Sequence, residues 1–286
     1  MITDEQFVRA NLPNISADSD KYTRGHLLVA AGSYGMAGAA ILCIRAAFAS
    51  GVGYVSALMP ESIYPIITMA VPEAVCMPYS TSDENSFRRQ FDRAVGRCDA
   101  VVFGPGVGAL RDCLAAPVFE TEKPLLIDAD GLNALASLAS AGNTPELHNA
   151  VLTPHEGECA RLLQTTRRWV HENRAEAVRR ASAGFYSSVL LKGPKTLIFD
   201  VRTGFDAENS TGCEALGRAG SGDVLSGLIG GLMAQGVQPA KASAMSAYLH
   251  GLAGDRCKQK LGVRGTMPSD LIIELKEILK EQEAEE

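Results

Sequence analysis

Long hydrophobic runs are missing from this sequence: nowhere do apolar residues continue for the roughly 18 positions that a membrane-spanning helix needs. The opening residues, Met1-Ile2-Thr3-Asp4-Glu5, have neither the basic start nor the apolar centre of a secretory signal, so the expected location is the cytoplasm. Basic charge is in deficit, with 27 Lys and Arg against 33 Asp and Glu for a net charge of −6. That balance offers no general attraction to nucleic acid or an anionic membrane, and any phosphate binding must come from local groups. Aromatic residues are few, 6 % with a single Trp, so the core must be aliphatic and finely packed. The seven cysteines (43, 76, 98, 113, 159, 213 and 257) contain no CxxC pair, which disfavours both a zinc site and a disulfide framework. They read as reduced, buried, small apolar residues.

What is present describes a globular α/β chain. Of its 286 residues, 46 % are hydrophobic and 21 % charged, and 28 glycines mark many tight turns. Apolar β-rich stretches at 27–30, 54–58, 100–103, 125–127, 151–152 and 189–191 alternate with longer helix-like segments. This rhythm predicts a mostly parallel central sheet with helices on both faces, a three-layer α/β/α fold, and strands without polar alternation fit burial on both sides. No repeat, linker or composition break divides the chain, so one domain over 1–286 is expected. Residues 169–183 read as one solvated helix, 271–279 as an amphipathic helix, and 281–286 as an acidic end that frays.

In open sheets of this kind ligands collect at the carboxyl ends of the strands. Those ends carry the unusual residues: Gly32-Ser33, Gly104-Pro105-Gly106-Val107-Gly108, Asp128-Ala129-Asp130-Gly131-Leu132-Asn133, Thr153-Pro154-His155-Glu156-Gly157-Glu158 and Lys192-Gly193-Pro194-Lys195-Thr196. Further on, Gly220-Ser221-Gly222-Asp223 leads into a segment whose apolar residues at 224, 225, 228, 229, 232 and 233 share one helical face. The three residues before Asp223 therefore open a helix, where bare N–H groups and the helix dipole suit an anion. Asp223, in the first turn, is placed to take a proton from a hydroxyl attacking phosphorus, and the helix start favours its ionised form. Helix capping and close packing explain the same residues without catalysis.

Seven pieces in order resemble the ADP/ATP-dependent NAD(P)H-hydrate dehydratases, relatives of the ribokinase-like small-molecule kinases. They are Lys21-x-x-x-Gly25, Ala31-Gly32-Ser33 with Met36-Ala37-Gly38-Ala39-Ala40, Gly104-Pro105-Gly106-Val107-Gly108, Asp128-Ala129-Asp130-Gly131-Leu132-Asn133, Leu152-Thr153-Pro154-His155, Leu191-Lys192-Gly193 and Gly220-Ser221-Gly222-Asp223-Val224-Leu225-Ser226-Gly227. The resemblance implies a ribokinase-like fold and the repair of hydrated nicotinamide cofactors, (S)-NADHX and (S)-NADPHX, with ADP or ATP as co-substrate and Mg2+. It implies Asp223 as the base, Ala40, Gly106 and His155 in the hydrate pocket, and Lys192, Gly193, Pro194, Lys195, Thr196, Asn209, Gly220, Ser221 and Gly222 at the nucleotide. It also implies Glu158 toward magnesium through water, and a homotetramer or larger assembly. Many family members carry an additional N-terminal epimerase domain, and this chain is expected to lack it.

Three departures stand out: Cys213-Glu214 and Gly217-Arg218 in the loop before the helix, and Glu156 where proline is usual. Arg218 suits phosphate, whereas Glu214 turned inward would repel it. Two other readings share the motifs: a ribokinase-like kinase of a vitamin precursor or sugar alcohol, and a non-catalytic nucleotide-binding protein of the same fold.

Overall fold

The computed structural model describes residues 1–83 and 85–283. Ten strands run β1 (Ile2–Thr3), β2 (His26–Ala30), β3 (Tyr54–Pro60), β4 (Val75–Tyr79), β5 (Ala100–Phe103), β6 (Leu125–Ile127), β7 (Ala150–Leu152), β8 (Ser188–Leu191), β9 (Leu197–Asp200) and β10 (Phe205–Asn209). They form one sheet in the order β1-β10-β9-β8-β7-β6-β5-β2-β3-β4. Every neighbouring pair is parallel except the two that β9 makes, with β8 and with β10. The carboxyl ends of β2, β5, β6, β7, β8 and β10 therefore share one edge. Chain order reverses between β2 and β5, which are adjacent in space, and such a switch opens a crevice at that edge.

The apolar strands divide their side chains between two cores. Leu27, Val29 and Val102 pack on one face with the helices Ala37–Ala49, Ser221–Ala234, Pro239–Gly265 and Pro268–Glu283. Leu28, Val101 and Phe103 pack on the other, against helices including Ser86–Val95, Asp130–Ser140 and Arg174–Phe185. Alternation with period two, each side apolar, produces the three-layer arrangement that the composition predicts.

The Ser221–Ala234 helix is the best packed. A side chain on Gly227 would lie 2.0 Å from the Cys43 carbonyl oxygen, and one on Gly231 2.1 Å from Ser50 Oγ. These glycines let the Ser221–Ala234 helix lie close against the Ala37–Ala49 helix and Ser50 after it.

Four strands escape sequence reading. β4 contains Pro78 and survives because it is an edge strand, where a missing N–H costs no ladder bond. β9 is only four residues, Leu197-Ile198-Phe199-Asp200, β10 carries the polar Asp206, Glu208 and Asn209, and β1 is two residues long. The single helix expected over 169–183 is two, Arg167–Glu172 and Arg174–Phe185, broken at Asn173. Residues 281–283 continue the last helix, and 284–286 of the tail expected to fray lie outside the described residues. All seven cysteines are free, but only Cys43, Cys98, Cys159 and Cys257 are buried, and Cys113 is exposed. Among the described residues no helix is long and apolar enough to cross a membrane.

Candidate active site

A cleft of about 1110 Å³ opens at the carboxyl edge, running from His155 past the Lys192–Thr196 turn to Ser221 and Gly222. Gly220 enters the Ser221–Ala234 helix at φ +97°, a conformation that a side chain disfavours, and no side chain caps the helix. Ser221 N–H donates to the Arg218 carbonyl and Val224 N–H to that of Gly220. The N–H groups of Gly222 and Asp223 have no partner among the described residues; Gly222 lines the cleft, and Asp223 follows it in the first turn, outside the lining.

Asp223 itself accepts no hydrogen bond among the described residues. Burial and the neighbouring Asp128 carboxylate push its pKa up to about 6, against the pull of Lys192. This departs from the sequence expectation. The helix head favours the anion, but desolvation and a like charge outweigh it. A carboxylate poised near neutrality is a competent proton acceptor.

Beside it lies a buried ionic cluster. Lys192 Nζ sits 2.7 Å from Asp128 Oδ1 and 3.8 Å from Glu158 Oε2. Burial opposes the ammonium, yet Asp128 and Glu158 hold its pKa above the ordinary lysine value. Asp128 is also buried, and the Lys192 charge with the hydroxyls of Ser226 and Thr153 overcomes that burial to keep it ionised. Glu158 is raised, because burial and the Asp128 charge outweigh Lys192. Asp130, on the same strand end, accepts the Gly108 N–H at 2.8 Å and fastens a turn.

His155 caps the following helix. Its Nδ1 accepts the N–H of Gly157 at 2.9 Å and of Glu158 at 3.2 Å, and Glu158 Oε2 in return accepts the His155 N–H at 2.8 Å. With Nδ1 accepting, the ring proton sits on Nε2, in a side chain 55 % exposed at the cleft. Burial and the charges of Lys192 and Arg161 lower its pKa, so the ring is a neutral donor.

Ala40, in the first turn of the Ala37–Ala49 helix, and Gly106, in the turn after β5, fall outside the cleft lining and are buried. A side chain on Gly106 would meet Ala39 Cβ at 2.9 Å, and Ser33 Oγ donates to the Gly106 carbonyl at 2.8 Å. Lys192, Gly193, Pro194, Lys195 and Thr196 do form the β8–β9 hairpin turn, and the turn lines the cleft. Arg174 braces it from beneath: its guanidinium reaches the Leu191 carbonyl at 3.2 Å, that of Lys192 at 3.4 Å and Glu156 Oε1 at 3.0 Å. Arg174 is thus no part of a solvated face, a correction to the reading of 169–183. Glu156 takes its place in that brace, with His171 and Arg167 around it.

Asn209 also borders the cleft, but its amide is committed, donating to the Thr211 and Ala247 carbonyls at 3.1 and 3.0 Å. These bonds shape the loop around Thr211 at the cleft wall. Glu214 turns out to Lys258 at 2.9 Å, and Arg218 donates to the Arg264 carbonyl at 3.0 Å. Neither points its charge at the helix head. His250, missed in the sequence, lies 3.1 Å by Nε2 from Ser221 Oγ, and burial drives its pKa down to about 4. Its one sequence signal is an imidazole in a helix otherwise rich in Ala, Ser and Gly.

Among the described residues no three His, Cys, Asp or Glu side chains surround a common point. The space between Asp128 and Glu158 holds the Lys192 ammonium. The donors present therefore do not fit a magnesium ion seated directly on protein carboxylates. They fit one that arrives on nucleotide phosphates with its water, Glu158 lying one layer further out.

A model of the NAD(P)H-hydrate dehydratase family matches residues 27–277. The ADP-dependent (S)-NAD(P)H-hydrate dehydratase of Neisseria meningitidis is 40 % identical over 248 residues, 86 % of this chain and 81 % of that protein. The bifunctional NAD(P)H-hydrate repair enzyme of Moorella thermoacetica is 36 % identical over 97 % of this chain, which spans 53 % of that relative's length. The crystal structure of the ADP/ATP-dependent NAD(P)H-hydrate dehydratase of Bacillus subtilis, co-crystallised with ATP and Mg2+, superposes with a TM-score of 0.84 at 27 % identity, covering 98 % of both chains. With this fold, this helix head and these matches, the chain belongs to the NAD(P)H-hydrate dehydratase family.

Proposed function

We propose that the protein dehydrates (S)-NADHX and (S)-NADPHX to NADH and NADPH, using ADP or ATP, and that it works in cofactor repair. The observation that carries this reading is Asp223, a carboxylate with a pKa near 6, beside unpartnered N–H donors at the head of a buried helix that borders a nucleotide-sized cleft. The Neisseria and Bacillus relatives, by their names, act on the same hydrates with ADP or ATP.

The course follows from the residues. The hydrate lies toward Ala40, Gly106 and His155, with the Nε2 proton of His155 available to an acceptor on it. The nucleotide lies along Lys192–Thr196, its terminal phosphate at the N–H groups of Gly222 and Asp223 with the Lys192 ammonium beside it. Asp223 takes the proton of the C6 hydroxyl as that oxygen bonds to the terminal phosphorus. The phosphoanhydride breaks, and ADP leaves AMP. Phosphate then departs with the C6–O electron pair and a ring proton is lost, which regenerates the dihydropyridine. Hydroxide is a poor leaving group and phosphate a good one, so the nucleotide makes the elimination feasible. Magnesium, when bound, neutralises charge on the phosphates. A homotetramer or larger assembly is part of the same proposal.

The test is incubation of purified protein with (S)-NADPHX, Mg2+ and either ADP or ATP, following dihydronicotinamide absorbance and released phosphate. Equal growth of both signals supports the reading. A stable phosphorylated product without dihydronicotinamide would assign the chain to the small-molecule kinases instead.

A further inference from the structure

Asp128 is 2 % exposed, too buried to touch a substrate, yet it joins the three parts of the site. Its Oδ1 lies 2.7 Å from Lys192 Nζ, at the end of β8. Its Oδ2 accepts the Ser226 hydroxyl at 2.7 Å, one turn along the helix from Asp223. A side chain built on Gly222 would stand 3.6 Å from Lys192 Nζ and 3.8 Å from Asp128 Oδ2, so the ammonium is at the helix head. The backbone around Asp128 is shaped for this placement. Ala129 adopts φ 50°, ψ −115°, costly for a residue with a side chain, and a side chain on Gly104 would strike the Asp128 carbonyl oxygen at 1.9 Å.

Resting on the proposed phosphoryl transfer, we propose that Asp128 is its positioning residue: one carboxylate oxygen holds the Lys192 ammonium at the helix head, and the other, through Ser226, holds the helix that carries Asp223. Cation and base are thereby set at a fixed separation, with the transferred phosphoryl group between them. A lysine side chain free of Asp128 has four rotatable carbons and no single position. The groups that face Asp223 are Asp128 from the end of β6, Lys192 from β8, with Glu158 behind it, and Cys43 from the Ala37–Ala49 helix, whose thiol burial keeps neutral. His250, neutral, meets the same helix head at Ser221.

The test compares wild type with Asp128→Asn, which preserves size and the acceptor for Ser226 but removes the charge. Expected are a kcat lower on the order of 100-fold, a KM for the hydrate within about threefold of wild type, and an acid limb of the pH–rate profile displaced to lower pH. The carboxyl 13C signal of Asp223, identified by its loss in Asp223→Asn, is expected to titrate at least about one pH unit lower in Asp128→Asn without any substrate. Ser226→Ala, which keeps the ion pair, is expected to lose about tenfold in kcat with the acid limb unmoved. An Asp223 titration identical in wild type and Asp128→Asn, or a kcat within twofold of wild type, overturns the proposal. If Asp128→Asn does not fold, an unchanged kcat in Ser226→Ala overturns it. A wild type inactive on (S)-NADPHX whose Asp223 signal still moves on the substitution refutes the proposed reaction while leaving this placement of charge intact.

Discussion

The imidazole Nε2 of His250 meets the hydroxyl of Ser221 at 3.1 Å, joining the middle of the Pro239–Gly265 helix to the first residue of the Ser221–Ala234 helix. The contact is buried, and it places an uncharged ring behind the head of the Ser221–Ala234 helix. Its protonation bears directly on stability.

The folded pKa of His250, about 4, lies below the ordinary histidine value of 6.5, so between those values the unfolded chain binds more protons. Its contribution is full above pH 6.5 and is lost as pH falls toward 4. Two to three pKa units correspond to about 3 kcal/mol. Urea unfolding at pH 7 and pH 4 is expected to show a smaller loss of stability for His250→Asn than for wild type. An equal loss in both would show that another group carries the acid sensitivity.

Asp223 has the opposite sign. Its folded pKa, about 6, is above the ordinary aspartate value of 3.8, so its contribution is complete below pH 3.8 and falls as pH rises through 6. Removing the charge in Asp223→Asn is expected to raise stability by up to about 2 kcal/mol at pH 8, after allowance for solvent screening, and by nothing below pH 4. Turnover is expected to drop about 1,000-fold with both ligands still bound. Calorimetric melting at the two pH values and steady-state assays check the pair of effects. Full activity in this variant would refute the base assignment.

Lys195 separates ligand binding from folding. Its side chain is 78 % exposed and its nearest carboxylate, Glu208, is 3.9 Å away, so Lys195→Ala is expected to leave thermal stability within about 0.5 kcal/mol of wild type. Affinity for ADP, by titration calorimetry, is expected to weaken by about fivefold, with a shallower salt dependence. Unaltered affinity would make the residue an ornament of the turn.

Gly227→Ala addresses packing alone. The added carbon would meet the Cys43 carbonyl at 2.0 Å, backbone that cannot swing aside, so the two helices must separate. A cost of about 3 kcal/mol and a fall in Tm of about 5 °C are expected. A melting curve superimposable on wild type would mean that the helices do not approach so closely.

How much of this was readable in advance depends on range. The β2, β5, β6, β7 and β8 strands are short apolar runs ended by Gly, Pro or Asp, signals carried by neighbouring residues, and the helix opening at Ser221 follows from the glycines before it. β10 lacks that pattern because Asp206, Glu208 and Asn209 make most of it polar, while β9 is an apolar run ended by Asp200 whose antiparallel place in the sheet depends on the hairpins to β8 and β10. Near the cleft, the helix start before Asp223 and the turn at Lys192–Thr196 were legible from motif and position as local structure. The roles of Asp128, Arg174 and His250 were not. Each depends on a partner distant in the chain, 17 to 98 residues away: Ser226 for Asp128, the Leu191 carbonyl for Arg174, Ser221 for His250.

The two-residue strand β1 carries more than its length suggests. Thr3 Oγ1 donates to Asn209 Oδ1 at 3.2 Å, and the Glu208 N–H returns to the Met1 carbonyl at 2.9 Å. The leading residues of the chain therefore clamp the strand from which the loop around Thr211 springs. Lifting them off, by trimming or by a bulky fusion, would slacken the far wall of the cleft more than 200 residues downstream, so affinity for nucleotide becomes a gauge of whether the front of the chain is seated.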